Sequence, residues 1–581
     1  MSGRAKLRRL GAHPEIDEID RRLWTSPRAT TLRELLDPAD LAPDLTALVF
    51  VDHAPAPEEV TWGQLRASAD SAAAVLSEAG VTPGDRVVIM LPTGPAFFAM
   101  FFGALCLGAI PVPVVPPHTL RLEKLEVLFE TITRIARDCG ARIVVGLDRT
   151  TPLLADYLTR HGLAVAVVSA EQIPPRQNQT RAALPHPDDL ALLQYTSGST
   201  SHPKGVELTH ASIIANAAAI TGAITRRDSV GVSWLPLHHD MGLIGVALSA
   251  LYCRRPQVHM PPQAFAKDPA RWLHYLSDVR ATITVAPNFA YGFCTHHIAD
   301  EDLEGVDLSA LEIALNGAEP IDPATIDAFQ RRFARWGLRP GVVRPVYGLA
   351  ESSLAVTFGE PGLPRLDDVD AAALEQLGHA VVATADARRR TFVSVGLPLD
   401  TQEVRVVDPH DAALPDRMIG EIVVRGPSVM RGYHGQPAES AAALRNGWLH
   451  TGDLGYQVSG QLFVTGRSKD LIIRLGKNYY AQDIERVAGR IPGVLQGGIA
   501  ALGVEEDDGV KIVVIAETRL RDSDARSNLT VAIRDACQTQ FDLGPDEIHL
   551  VPPGSIPRTT SGKVRRQECR TWRTAGLPLL T

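Results

Sequence analysis

The sequence contains no closely spaced pair of cysteines. Its six cysteines (Cys106, Cys139, Cys253, Cys294, Cys537 and Cys569) are scattered, with no CxxC and no zinc-ligand spacing. That pattern argues against a thiolate metal site and fits reduced, partly buried thiols in a cytosolic protein. Positive charge is not in excess either: the formal net charge is −9, which disfavours nucleic-acid binding and attachment to anionic membranes. The P-loop pattern G-x-x-x-x-G-K-[ST] is absent, so a P-loop NTPase is not expected. There is no short-period repeat. Basic residues at the start (Arg4, Lys6, Arg8, Arg9) are not followed by a long apolar run, so they make a poor signal peptide. One uncharged stretch, Ala96 to Pro113, reaches membrane-span length. Pro92 and Pro95 open it and Pro111, Pro113, Pro116 and Pro117 close it. This predicts a buried helix over Ala96–Leu107, then a strand near Ile110–Val115, and no membrane insertion.

What is present is ordinary globular composition, 45% hydrophobic and 22% charged, over 581 residues. A chain of that length exceeds one compact core, so at least two domains are expected. Short β-branched runs (Arg86–Leu91, Arg142–Val145, Ala164–Val168, Thr282–Ala286) alternate with helical patterns over Thr61–Glu78, Glu123–Asp138, Ala211–Ile224 and Pro323–Trp336. The alternation predicts an α/β fold with largely parallel sheets. A loop is expected near Pro174–Pro187. Residues 359–390 open Gly-Glu-Pro-Gly-Leu-Pro and close on Arg388, Arg389 and Arg390. They fit a surface insertion. Beyond Gly466 the pattern restarts as a small α+β unit. The expected organisation is an N-terminal domain over 1–465, a hinge at 466–470 and a C-terminal domain over 471–581.

Five segments carry candidate chemistry. Tyr195-Thr-Ser-Gly-Ser-Thr-Ser-His-Pro-Lys-Gly-Val206 follows an apolar run and precedes a helical pattern. A strand-loop-helix unit of this composition presents N–H groups and hydroxyls to phosphate oxygens, and Lys204 adds positive charge. In Tyr347-Gly-Leu-Ala-Glu-Ser-Ser-Leu354, Glu351 suits Mg²⁺, which takes carboxylate and phosphate oxygens together. In Gly447-Trp-Leu-His-Thr-Gly-Asp-Leu-Gly455, Asp453 is placed to accept from ribose hydroxyls. Gly466-Arg-Ser-Lys-Asp470 and Pro557-Arg-Thr-Thr-Ser-Gly-Lys-Val564 follow. Taken singly, each also fits a plain surface turn, a strand end or a solvated charge.

In this order and spacing, the five segments resemble the adenylate-forming superfamily, which includes acyl-CoA synthetases, adenylation domains of peptide synthetases and luciferases. The resemblance implies ATP and Mg²⁺ as cofactors and a carboxylic acid as substrate. It implies that Thr196, Ser197, Gly198, Ser199, Thr200 and Lys204 wrap the β- and γ-phosphates. Asn316, Gly317, Ala318 and Glu319 resemble the adenine-side strand end. Tyr347, followed by Gly348, resembles the adenine-stacking aromatic, and Glu351, with Thr196, the metal site. Asp453 and Arg467 resemble the ribose pair, Lys469 the hinge, Lys563 the adenylation lysine, and His239 the flank of the carboxylate pocket. Trp234, Phe289 and Tyr291 are expected to line the acyl pocket.

Within the superfamily, His239-Asp-Met-Gly-Leu-Ile-Gly245, Ala286-Pro-Asn-Phe-Ala-Tyr291 and Lys477-Asn-Tyr-Tyr-Ala-Gln-Asp-Ile-Glu485 resemble fatty acyl-AMP ligases. So does the 359–390 segment. That branch implies transfer of the acyl group to an acyl carrier protein or a separate acyl-transfer protein. An acyl-CoA ligase and an inactive nucleotide-binding scaffold are the alternatives. The basic tail (Arg558, Lys563, Arg565, Arg566, Arg570, Arg573) offers either a docking face for an acidic carrier or a plain solvated surface.

Overall fold

The protein is described from a computed structural model. It covers residues 29–575, leaving out 55, 172–182, 197–202, 227, 475–476, 507–508, 542 and 559–563.

The uncharged stretch folds as its prolines dictate. Pro95 starts a helix, Pro95–Cys106, because its missing N–H falls where no helical bond is needed. Phe97, Phe98, Phe101 and Phe102 are buried on it. The strand Ile110–Pro113 follows, parallel to Arg86–Ile89. Among the described residues no helix is long and apolar enough to cross a membrane.

Arg86–Ile89 belongs to a four-stranded parallel sheet with Ile110–Pro113, Ala141–Gly146 and Ala166–Ser169. Amphipathic helices cover it. Leu122–Asp138 turns Leu125, Phe129, Ile132 and Ile135 inward, the spacing of one helical face. Trp62–Glu78 begins at a capping box between Thr61 and Gln64.

The largest sheet has two characters. Gly231–Ser233, Ile283–Pro287, Ile313–Gly317 and Val343–Gly348 run parallel. From there the sheet continues antiparallel through Ala355–Phe358, Arg389–Pro398, Gln461–Arg467 and Trp448–Val458. The expectation of largely parallel sheets therefore holds for the four-stranded sheet and the first part of this one, and not for its antiparallel continuation. Alternating β-runs do not reveal strand direction, since hairpins and crossovers share the same side-chain period.

Residues 359–390 are more than a loose surface loop. Leu366–Asp370 pairs with Arg389–Pro398, and Asp370 caps the helix Ala371–Leu377 by accepting from the Ala372 and Ala373 amides. Val369, Leu374 and Ala380 are fully buried with Phe392, Tyr456, Phe463 and Tyr480.

Beyond Asp470 come the hairpin Leu471–Arg474 with Lys477–Tyr480, and a three-stranded sheet of Val494–Glu506, Gly509–Thr518 and Glu547–Val551. The helices Ala481–Ala488 and Ser523–Phe541 pack on it around Ile484, Ile499, Val514 and Ile533. Arg390 joins this part to the 359–390 region. Its guanidinium pairs with Asp483 at 2.8 Å and lies 4.2 Å from the centre of the Tyr480 ring. All six cysteines are free and buried.

Candidate active site

The site collects where the parallel strands end. In open α/β sheets that edge is where ligands sit, because helix N-termini and strand-end loops converge there.

The segment expected to wrap phosphate is a hairpin. Leu190–Thr196 pairs antiparallel with Lys204–Thr209, and Thr196 faces Lys204 across the ladder. The described residues are therefore two paired strands, and the helix His210–Ile224 begins only after Thr209, which caps it. This corrects the strand-loop-helix expectation. Ser197, Gly198, Ser199 and Thr200 lie outside the described residues.

A short strand, Gly432–Tyr433, pairs with the second arm of the hairpin. It sets the Tyr433 ring 4.8 Å from Lys204 Nζ, which also binds the Glu439 carboxylate at 2.5 Å. Beside it, Glu207 accepts from Arg431 and His434, each at 2.8 Å. Burial works to raise the Glu207 carboxyl, but these two partners outweigh it and hold it below its ordinary range.

Glu351 sits in the short turn Ala350–Ser352. Its carbonyl accepts from the Met430 amide at 2.8 Å, and its Oε1 accepts from the Tyr433 hydroxyl at 2.9 Å. Ser353 Oγ donates to the Ser428 carbonyl at 2.8 Å. Residues 428–434 thus stitch the Glu351 turn to the paired strands Leu190–Thr196 and Lys204–Thr209. Burial, and then the Glu351 charge, push the Tyr433 phenol upward, so it stays the donor.

Asp453 faces Arg467 directly across an antiparallel pair. Arg467 Nε donates to Oδ1 at 3.0 Å, and the Tyr347 hydroxyl donates to Oδ2 at 2.7 Å. The Asp453 charge, foremost, raises the Arg467 guanidinium above its ordinary range. Gly348 follows Tyr347 because the Leu354 carbonyl oxygen lies 2.0 Å from where a Cβ would stand. Asn316 is fully buried at the end of Ile313–Gly317, and its Oδ1 meets no hydrogen-bond donor among the described residues. A buried amide oxygen in that state fits a ligand's N–H. Ala318 turns with φ +69, and Glu319 accepts from the Phe289 amide at 2.5 Å.

On the acid side, His239 Nδ1 lies 2.6 Å from Asp240 Oδ1. A π-helical stretch, Met241–Leu248, starts immediately after; such stretches recur at functional sites. Trp234 stacks on Phe265 at 4.0 Å, with Phe289 edge-on at 6.1 Å. Tyr291 is placed differently from expectation. It is fully buried between Trp272 and Phe329, and its hydroxyl donates to the Leu315 carbonyl at 2.7 Å. Packed on both sides and with its hydroxyl satisfied inside the protein, this ring belongs to the core. The open space lies one layer away, a cavity of about 70 Å³ between helix His210–Ile224, the π-helical stretch and the parallel strands.

The family model for AMP-binding enzymes matches residues 37–434. The chain belongs to that family. As an AMP-binding enzyme it is 36% identical over 573 residues to the long-chain-fatty-acid–AMP ligase FadD26 of Mycobacterium marinum, covering 92% of this chain and 95% of the relative. It is also similar to a solved structure from a study of fatty acyl-adenylate ligases of E. coli and L. pneumophila. There the TM-score is 0.87 and the identity 32%, over 94% of this chain and 99% of that one. A third likeness is to a fatty acyl-adenylate ligase from L. pneumophila in complex with acyl adenylate and pyrophosphate. Its TM-score is 0.70 and its identity 33%, over 95% and 97% of the two chains.

In this AMP-binding enzyme Thr196, Lys204 and Glu351 share the Tyr433 neighbourhood, and Tyr347, Asp453 and Arg467 form one bonded group. Lys469 sits in the turn Ser468–Asp470, and its charge acts on Glu439. Lys563 lies outside the described residues. Just past it, Arg565 N donates to the Pro557 carbonyl at 2.9 Å. Arg566 is not a solvated docking residue. It binds both Glu485 oxygens at 3.0 and 2.6 Å and Asp470 at 2.8 Å, with its side chain 13% exposed. The sequence reading missed Tyr433, Glu439 and the buried role of Arg566. Tyr433 follows a glycine in an ordinary turn-like stretch, and only strand pairing reveals where its hydroxyl goes.

Proposed function

We propose that the chain joins ATP and a carboxylic acid into acyl-AMP and pyrophosphate, then passes the acyl group to the thiol of an acyl carrier protein or acyl-transfer protein. The observation that carries this reading is the bonded group of Tyr347, Asp453 and Arg467, set beside Glu351 and the phosphate hairpin. Asp453 retains lone pairs beyond its two protein donors, as a carboxylate has about four acceptor sites, and these suit ribose hydroxyls. Tyr347 offers its ring to the base, and Asn316 Oδ1 suits the base's amino group.

The chemistry is a charge problem. A carboxylate oxygen attacks the α-phosphorus, the bond to the bridging oxygen breaks, and pyrophosphate leaves. The chain must therefore cradle negative charge at the leaving group and hold the attacking carboxylate in line. Thr196, Lys204 and the serine- and threonine-rich residues between them in sequence take the leaving group, while His239 flanks the carboxylate. Mg²⁺, when held by Glu351 and Thr196 beside phosphate oxygens, supplies charge neutralisation. Among the described residues no group of three metal-ligating side chains exists. A single carboxylate completed by phosphate oxygens suits Mg²⁺, which keeps most of its shell from water and phosphate. Lys563 adds positive charge during adenylation, and residues 466–470 serve as the hinge between the 1–465 and 471–581 domains.

Acid-dependent ATP–pyrophosphate exchange over fatty, aromatic and polycyclic acids tests the reading, with CoA and a carrier protein then supplied separately. Exchange with carrier acylation and no acyl-CoA is the expected result. Acyl-CoA formation would make the chain a CoA ligase, and no exchange with any acid would leave only nucleotide binding.

A further inference from the structure

The cavity between helix His210–Ile224 and the parallel strands, lined by none of Trp234, His239 or Phe289, has a direction. Leu315 lines its near end, one residue before Asn316 at the strand edge. Gly231 and Ile283 line its far end. They face each other across the sheet, level with Ile313. Three residues of strand separate Ile313 from Asn316, about 10 Å at the usual rise. An acyl chain whose carboxylate sits at the strand edge would run down this length, between Ile220, Val246, Val285 and Leu315.

The floor is not apolar. Arg255, Pro256 and Gln257 are among the residues that line this end, Gln257 standing opposite Gly231 in the sheet. Arg255 is 3% exposed and Gln257 6%. Arginine is almost never buried to that extent unless its charge is served. Arg255 keeps a partner inside the protein. A guanidinium carries five N–H donors in a fixed fork, so a protein partner and a ligand can share it. The Gln257 carboxamide lies over Gly231, where a Cβ would stand 2.0 Å from Oε1, so Gly231 is what admits the amide to this wall. Three hydroxyls along the cavity are already spent within the protein. Thr221 donates to the Ala217 carbonyl, Ser249 to Ile244 and Thr284 to Val232, each at 2.8 Å.

From this geometry we propose that the acid activated here carries an oxygen function at the end remote from its carboxylate: a hydroxyl, oxo or carboxyl group held by Arg255 and Gln257. A plain methyl terminus would press against a cationic, hydrogen-bonding floor and return nothing for the donors it covers. A site built to hydrogen-bond a substrate oxygen rejects the analogue that lacks it far more strongly than an apolar pocket rejects a missing methylene. This inference rests on the adenylation reading and names the acid class for it.

The test is pyrophosphate exchange by the full chain with length-matched acids, each unsubstituted fatty acid beside its ω-hydroxy, ω-oxo and ω-carboxy partners. Wild type is expected to favour an ω-oxygenated member by roughly 10-fold or more in kcat/KM, and the preferred member identifies the function. In Arg255→Met that preference should fall toward parity, and in Gln257→Leu it should shrink. The wild-type comparison stands without either variant, so misfolding cannot hide the result. Unsubstituted acids used as well as or better than their partners would overturn the inference and leave adenylation standing. No exchange with any acid would bring down both.

Discussion

Tyr433 donates its hydroxyl to Oε1 of Glu351 at 2.9 Å, from a strand that also pairs with the phosphate hairpin. One side chain therefore ties the proposed metal carboxylate to the strand pair proposed to bind phosphate. Hydrogen bonds to charged groups contribute about 1.5–3 kcal/mol, so Tyr433→Phe should weaken Mg²⁺-dependent ATP binding roughly 10- to 100-fold. Calorimetric ATP titrations at several Mg²⁺ concentrations, without acid, read this directly. An unchanged Mg²⁺ dependence would remove Tyr433 from the site.

The second prediction concerns Asp453, whose two oxygens take Tyr347 and Arg467. An amide has one oxygen and turns an NH₂ toward one of those donors. Asp453→Asn should therefore cost both the charge pair and a hydrogen bond, lowering ATP affinity by at least about 10-fold, while Tyr347→Phe costs less. Equal affinities for the wild type and Asp453→Asn in the same titration would show that the pair does not serve nucleotide.

The third separates neighbours in the tail. Arg566 binds Glu485 and Asp470 with little exposure, whereas Arg565 pairs with Glu568 at a half-exposed position. Breaking a buried ion pair by removing one partner costs about 3–5 kcal/mol. Arg566→Glu should unfold the C-terminal part first, seen as early proteolysis beyond Asp470. Arg565→Glu should leave the fold intact and reduce only acylation of an acidic carrier. Equal protease resistance of the two variants would count against this division.

Those two arginines also mark how far sequence reaches. Side by side they read as one basic patch, because burial of a charged residue depends on partners 81 and 96 positions away. Local patterns fared better. The prolines around Ala96–Pro113 set the helix and strand there, and the helical pattern over Thr61–Glu78 matches the helix Trp62–Glu78. Asp453 and Arg467 were both singled out as a pair, but nothing in their sequence said that an antiparallel register would place them opposite each other. Tyr291 was read as pocket-lining because an aromatic in an apolar helix looks alike on either side of a wall. Its hydroxyl bond to Leu315, set by packing with the next strand, decided for the core.

The fourth prediction is a pH dependence. His210 Nδ1 accepts from the Leu32 amide at 3.1 Å, and burial pushes the imidazole down to about 4. The unfolded chain takes up this proton near pH 6.5, while the folded chain resists until about 4. Between those values the unfolded state holds more protons, so stability rises with pH. The contribution is full above 6.5, shrinks as pH falls, and is gone below about 4, at a slope of about 1.4 kcal/mol per pH unit. Urea unfolding from pH 7 to 4.5 should show a shallower slope in His210→Asn than in wild type, and identical slopes would rule His210 out.

The most direct measurement of the proposed reaction is product analysis after a single turnover. Purified protein, Mg²⁺, ATP and an accepted acid should yield acyl-AMP and pyrophosphate in equal amounts by mass spectrometry, with the acyl-AMP persisting when CoA is added and consumed when a carrier thiol is supplied. ADP and inorganic phosphate in place of AMP-linked product would contradict adenylation outright.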